Sequence, residues 1–185
     1  MKVIAVALLG VTAIVVSGCG RSAAAPWSIG PVRQHDPRWQ HDPRRQHDPS
    51  LRAGFGAPAG WCEDPVRVDR NSRQRVWVSP TGDTAFGIIR FDLPVPVGHE
   101  LALWGFLRTM RRDDGRADLI EKRWDEQRQA LRFVVEGKTY RLRALMHVRG
   151  FGGWAVYAGS LRERPENRTE IEQAEQSREQ TVFDE

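Results

Sequence analysis

The chain has 185 residues, a length for about one domain. Lys and Arg number 28 against 24 Asp and Glu, a formal charge of +4, and only Lys2, Lys122 and Lys138 are lysines. A hydrophobic share of 40% and a mean hydropathy of −0.53 exclude a multi-span membrane protein. Two cysteines exclude a disulfide framework and a cysteine-built zinc finger.

Met1-Lys2 carries one positive charge, and Val3 to Val16 is uncharged and almost wholly apolar. Small residues, Ser17 and Gly18, lead into Cys19. A charged start, a short apolar stretch and a small-residue end describe a secretory signal over residues 1–18. The stretch is shorter than the ~20 apolar residues that span a bilayer. Val16-Ser17-Gly18-Cys19 resembles the lipobox of exported bacterial lipoproteins. The resemblance implies cleavage before Cys19 and a diacylglycerol on its sulfur. Each buried CH₂ of the attached lipid contributes ~0.8 kcal/mol, so two or more chains hold firmly. Loss of Lys2 takes the charge from +4 to +3. The expected location is the cell envelope, with the membrane as one partner through the anchor. Gly20 stands where an aspartate would mark inner-membrane retention in a Gram-negative lipoprotein, so the outer membrane is favoured.

Residues 19–60 are expected to be a disordered tether. A motif repeats with a period of six: Gln34-His35-Asp36-Pro37, Gln40-His41-Asp42-Pro43 and Gln46-His47-Asp48-Pro49. Each proline extends the aspartate before it and removes a backbone donor. No unit carries an aliphatic side chain, so stacking has no driving force. A coil of this length spans on the order of 35–40 Å. The sharper alternative is a metal-handling envelope protein, with His35, His41 and His47 taking a divalent cation as the one cofactor the chain suggests. Six arginines against three aspartates over 21–52 also suit an anionic surface.

Residues 61–182 read as the folded domain, with 183–185 as a tail. Arg75 to Val78 is a strand, Ser79-Pro80-Thr81-Gly82-Asp83 a turn, and Thr84 to Phe91 a second strand. Gly98 to Arg112 predicts a helix whose apolar face carries Leu101, Leu103, Trp104, Phe106, Leu107 and Met110. Four strands follow, near 117–125, 130–136, 138–147 and 153–161, and their short connections require antiparallel neighbours. Alternation puts Tyr140, Leu142 and Ala144 on one covered face. Residues 165–181 predict a final helix, opened by Asn167 with Glu170 three positions on. It should be mostly solvated and fray at its end. The fold class is α+β, with a six-stranded antiparallel sheet flanked by helices in the order ββαββββα.

That order resembles the PsbP-like superfamily, together with Trp61, the Val76 to Gly82 hairpin and the run Arg149 to Tyr157. The superfamily includes the extrinsic oxygen-evolving protein of photosystem II, a Ran-binding transport factor and small bacterial lipoproteins. The resemblance implies an α/β/α sandwich and a non-enzymatic role, binding an envelope protein or ligand as an accessory module. It carries no binding-site residue onto this sequence.

Other chemistry is sparse. Cys62 is expected to stand unpaired once Cys19 is lipidated, and a thiol enzyme would need His99 or His147 beside it. The two histidines stand apart in sequence and read as isolated surface or packing residues. Glu121, Asp125, Glu126 and Glu136 read as the wet side of strands. Gly150-Phe151-Gly152-Gly153 reads as a hairpin turn. Arg132, Arg141, Arg143 and Arg149 suggest a basic face, but export argues against nucleic acid as a partner.

Overall fold

The computed structural model describes residues 45–64 and 66–184. Its strands are β1 (Arg45–Asp48), β2 (Ala53–Gly56), β3 (Cys62–Glu63), β4 (Arg67–Asp69), β5 (Ser72–Val78) and β6 (Thr84–Asp92), then helix α1 (His99–Asp114). There follow β7 (Asp118–Asp125), β8 (Ala130–Glu136), β9 (Tyr140–Arg149), β10 (Gly152–Leu161), helix α2 (Arg168–Gln180) and β11 (Val182–Phe183). An eight-stranded sheet runs β3-β5-β6-β10-β9-β8-β7, with β4 also on β5, and a three-stranded sheet runs β1-β2-β11. The paired strands are antiparallel.

The expected core of the sheet is present, but the sheet is larger than six strands. The additions are β3 and β4, two and three residues long, which edge β5. Such short segments carry no readable period.

The central strands are buried on both faces. On β6, Ile89 and Phe91 pack with Leu103, Phe106 and Met110 of α1, while Phe86 and Ile88 pack on the opposite side with Phe55, Trp77 and Ala174. On β10, Ala155 and Tyr157 face α1, while Trp154, Val156 and Ala158 face away from it. This is why both strands read as near-continuous apolar runs rather than alternating ones.

The first helix ends as expected, at Gly115 with φ +74. Its buried face is narrower than the sequence suggested, because Leu101 and Trp104 are each about half exposed. The second helix starts at Asn167, whose side chain accepts from the backbone N–H of Glu170 at 3.4 Å. The Glu170 carboxylate does not turn back to complete a capping box. It accepts from Thr81 Oγ1 at 2.7 Å, tying α2 to the β5–β6 turn.

The largest correction falls on residues 45–56, assigned above to the tether. They form the β1–β2 hairpin, and Leu51, Ala53 and Phe55 are fully buried beneath it. The last repeat unit supplies the turn. Asp48 Oδ1 accepts from Ser50 N at 2.7 Å, Ser50 Oγ at 2.7 Å and Leu51 N at 3.2 Å around Pro49. Aspartate and proline serve a turn as readily as a linker, and the apolar residues just beyond decide between them. Arg75 then clamps the hairpin. It pairs with Asp48 at 2.9 Å and Glu63 at 2.7 Å, and lies over the Phe55 and Trp77 rings. Among the described residues no helix is long and apolar enough to cross a membrane.

Candidate functional site

The two chain ends of the described domain meet and build one cavity. After α2, Val182 faces Gly54 and Phe183 faces Ala53, so β11 adds to the hairpin. The Asp184 backbone N–H donates to the Arg52 carbonyl at 2.8 Å. The Asp184 carboxylate accepts from His47 Nε2, also at 2.8 Å. The segment read as a tail is therefore a strand and a clasp.

Phe183 stacks on Trp154 at 5.0 Å and 24°, and on His147 at 5.7 Å and 15°. These rings meet because His147 and Trp154 are cross-strand partners on β9 and β10. Period two then places Leu145, His147 and Arg149 on the same face of β9. The Trp154 indole N–H donates to the Leu51 carbonyl at 2.7 Å, fixing its plane under the hairpin.

A cavity of about 410 Å³ opens over these rings, walled by Arg52, Arg128, Arg149, Leu145 and Thr181 as well. That volume lies within the range of small-molecule sites. The backbone is strained beside it. The non-glycine residues with positive φ among those described are Arg52 at +50 and Gln129 at +48. Each such conformation costs about 1–3 kcal/mol and persists only where surrounding contacts enforce it. Arg52 and Arg128 line the cavity, and the Gln129 carbonyl lies 3.0 Å from His147 Nδ1, which must donate to it.

The histidines are not isolated. His99 and His147 lie 6.3 Å apart, and Trp124 meets His99 edge-on at 4.8 Å, so five rings form a continuous row. His99 Nε2 accepts from Val148 N at 3.1 Å. Burial, then the neighbouring His147, pushes the His99 pKa below its ordinary value. Beyond His99 lies a second hollow of about 440 Å³ bordered by Trp124, Lys122 and Glu100, and there Lys122 and Glu100 satisfy each other at 2.8 Å.

The expected basic face is largely neutralised by glutamates of α2, of the segment before it and of β8. Arg132 grips both oxygens of Glu179, at 2.5 and 2.8 Å, and Asp125 at 2.6 Å. Arg143 lies 3.5 Å from Glu166 and 3.4 Å from Glu175, and Arg141 lies 3.8 Å from Glu136. Arg128 donates to the Glu179 carbonyl and lies 3.5 Å from its carboxylate. The end of α2 is therefore pinned rather than frayed. Of the four carboxylates considered above, Asp125 and Glu136 are held by these pairs and Glu121 lies 3.8 Å from Arg123, so they do not converge.

Arg132 pulls the Glu179 carboxyl down to about 2 from an ordinary 4.5, and lowers Asp125 as well. The folded-state pKa lies below the unfolded one, so the stabilisation is complete above 4.5 and is lost as pH falls toward 2. Glu179→Gln is expected to flatten the decline of unfolding midpoint over that window, leaving a residual slope from Asp125. Urea melts at half-unit pH steps measure it, and an unchanged slope in the variant would refute the assignment.

The sequence-marked residues fare unevenly. Cys19, Val16, Ser17, Gly18, His35 and His41 lie outside the described residues. His47 is on β1, where its Nε2 is engaged by the Asp184 carboxylate. Among the described residues no group of three or more histidine, cysteine or acidic side chains is placed to hold a metal. Cys62 is exposed on β3, opposite Val78 of β5. Arg52, Trp154 and Phe183 were missed as site residues. Positive φ and pairing with a distant strand leave no mark on a single sequence.

No protein-family model and no curated protein matches the chain. Among solved structures it is similar to cyanobacterial PsbP (CyanoP) from Synechocystis sp. PCC 6803, with a TM-score of 0.56 and 13% identity over 75% of this chain and 91% of that one. A crystal structure from Bacteroides thetaiotaomicron VPI-5482 aligns with a TM-score of 0.41 and 12% identity over 77% of this chain and 48% of that one. The fold is thus PsbP-like, a mixed α+β domain with two helices on antiparallel sheets.

Proposed function

We propose that this chain is a lipid-anchored cell-envelope protein whose PsbP-like domain is a non-catalytic, accessory binding module. The cavity between the β1–β2 turn, β9, β10 and β11 is its binding site. The observation that carries the binding role is the make-up of that cavity. Stacked rings and arginines grip a ligand by area and charge. The placement rests on the leader sequence, with Val16-Ser17-Gly18-Cys19 as the processing site and the outer membrane favoured by Gly20. Residues 20–44 would then be the span between lipid and domain, short enough to hold the cavity close to the membrane.

A sulfur cannot carry a lipid thioether and a disulfide at once, and Cys19 is the chain's only cysteine besides Cys62. Peptide mapping without reduction therefore tests the anchor directly. The expected result, on protein from a bacterial membrane fraction, is a diacylglyceryl mass on Cys19 and release of Cys19→Ala into the soluble fraction. A Cys19–Cys62 linked peptide, with the variant distributed as the parent is, would overturn the lipid anchor.

A further inference from the structure

We infer that the cavity over Trp154 and Phe183 binds a small, flat anion: an aromatic ring system bearing a carboxylate or phosphate head. The inference rests on the cavity being the module's binding site and goes further by naming what fits it.

Charge selects the sign. Arg52 and Arg149 line the cavity, beside an Arg128 that Glu179 already holds, against one acid, Asp184, which is taken by His47. A cationic ligand is repelled there. A wholly apolar one would strip water from guanidinium groups without replacing their hydrogen bonds. A planar guanidinium matches a carboxylate or phosphate edge through paired N–H donors.

Ring geometry selects the shape. Phe183 lies within 15° of His147 and 24° of Trp154, and those two are 38° apart, so the rings form one gently curved wall. A flat molecule can extend this stack, whereas a branched or globular one meets ring edges. A volume of about 410 Å³ suits one or two fused rings with a head group, not a long chain.

Strain marks the same place independently. Of the two positive-φ non-glycine residues among those described, Arg52 lines this cavity and Gln129 holds its His147 wall through the backbone carbonyl, while neither lines the neighbouring hollow at Trp124. At Arg52 the strained backbone is held by the Asp184 clasp, so the arginine is set at the rim before any ligand arrives.

Naphthalene-2-carboxylate and 1-naphthyl phosphate serve as probes, with naphthalene-2-methanol as the flat neutral control and hexanoate as the flexible anionic one. Binding to the purified protein is followed by nitrogen-15 NMR at the Trp154 indole N–H, assigned with Trp154→Phe. At least one flat anion is expected to bind tenfold or more tightly than either control, and which one does identifies the head group. Arg52→Gln and Arg149→Gln should each weaken it about threefold, and together about tenfold. Both side chains are exposed, so the core is spared. Equal affinity for the neutral control, shifts centred on Trp124 instead, or full affinity in the double variant would each refute the ligand class. The selectivity measured on the parent decides the matter even if a variant misfolds. Failure here leaves the lipid anchor standing, since that is read by mass and fractionation. Chemical conversion of a probe would instead overturn the non-catalytic reading while keeping the ligand class.

Discussion

Phe55→Ala is expected to lower the free energy of unfolding by about 3–5 kcal/mol, the usual cost of emptying a buried phenylalanine site. Phe55 is 0% exposed. Its ring meets Trp77 at 4.9 Å, and Trp77 in turn stacks on Phe86 at 5.3 Å. The Arg75 guanidinium closes over both Phe55 and Trp77. The neighbours cannot collapse into the space easily, because Phe86 belongs to a central strand fixed on both sides by β5 and β10. Were this segment a tether, the substitution would cost nothing. Urea denaturation decides between the two, with the exposed Val95→Ala as a control. A loss below about 1 kcal/mol would mean the hairpin does not belong to the core. The variant should also loosen the cavity, since the same hairpin carries Arg52 and receives β11.

The second large effect is expected at Gly87. It faces Tyr157 across β6 and β10, and the hydroxyl end of the tyrosine ring lies over it. A Cβ at Gly87 would sit 2.3 Å from Tyr157 Cζ and 2.4 Å from its hydroxyl oxygen. The ring cannot swing away cheaply. It is buried beneath α1, and its hydroxyl accepts from Gln74 Nε2 at 2.9 Å. Burial also pushes the Tyr157 hydroxyl pKa up to about 12, so it remains a phenol throughout the working range. Gly87→Ala should therefore destabilise by about 1–3 kcal/mol through overpacking. A double-mutant cycle separates this from ordinary strand effects. In a Tyr157→Ala background the added methyl group has room, so the two losses should fall short of additivity by about 1 kcal/mol or more. Strict additivity would show that the ring is not what excludes a side chain there.

Much of the sheet was legible because its strands are local events bounded by strong punctuation. Ser79-Pro80-Thr81-Gly82 closes the β5–β6 hairpin, with Gly82 N donating to the Ser79 carbonyl at 2.9 Å. Gly137 separates β8 from β9, and alternation along Tyr140 to Leu145 reports one buried and one polar face. Asn167 announced its helix by cap chemistry alone. Leu101 and Trp104 show where periodicity misleads: an apolar residue on a helix is buried only if a partner lies opposite, and those two remain half exposed, with the Arg108 guanidinium of the same helix over the Trp104 ring.

The site was far less legible, because each of its contacts joins distant parts of the chain. His47 and Asp184 are 137 positions apart, and His99 and Val148 are 49 apart. His99 and His147 read singly as unremarkable, and become neighbours only because β9 ends where α1 begins. Four arginines on two strands looked like a basic surface until α2 laid its glutamates across Arg132 and Arg143, and Glu136 of β8 came within 3.8 Å of Arg141.

The residues alone determined the local conformations and the order of the main elements, since turn chemistry, caps and side-chain period act over a few neighbours. Tertiary structure alone decided that the last repeat unit folds rather than dangles, that the final strand clasps the first hairpin, and that rings and arginines share one cavity. Those outcomes depend on which surfaces are left to bury once the central sheet has formed, and no short window of sequence contains that information.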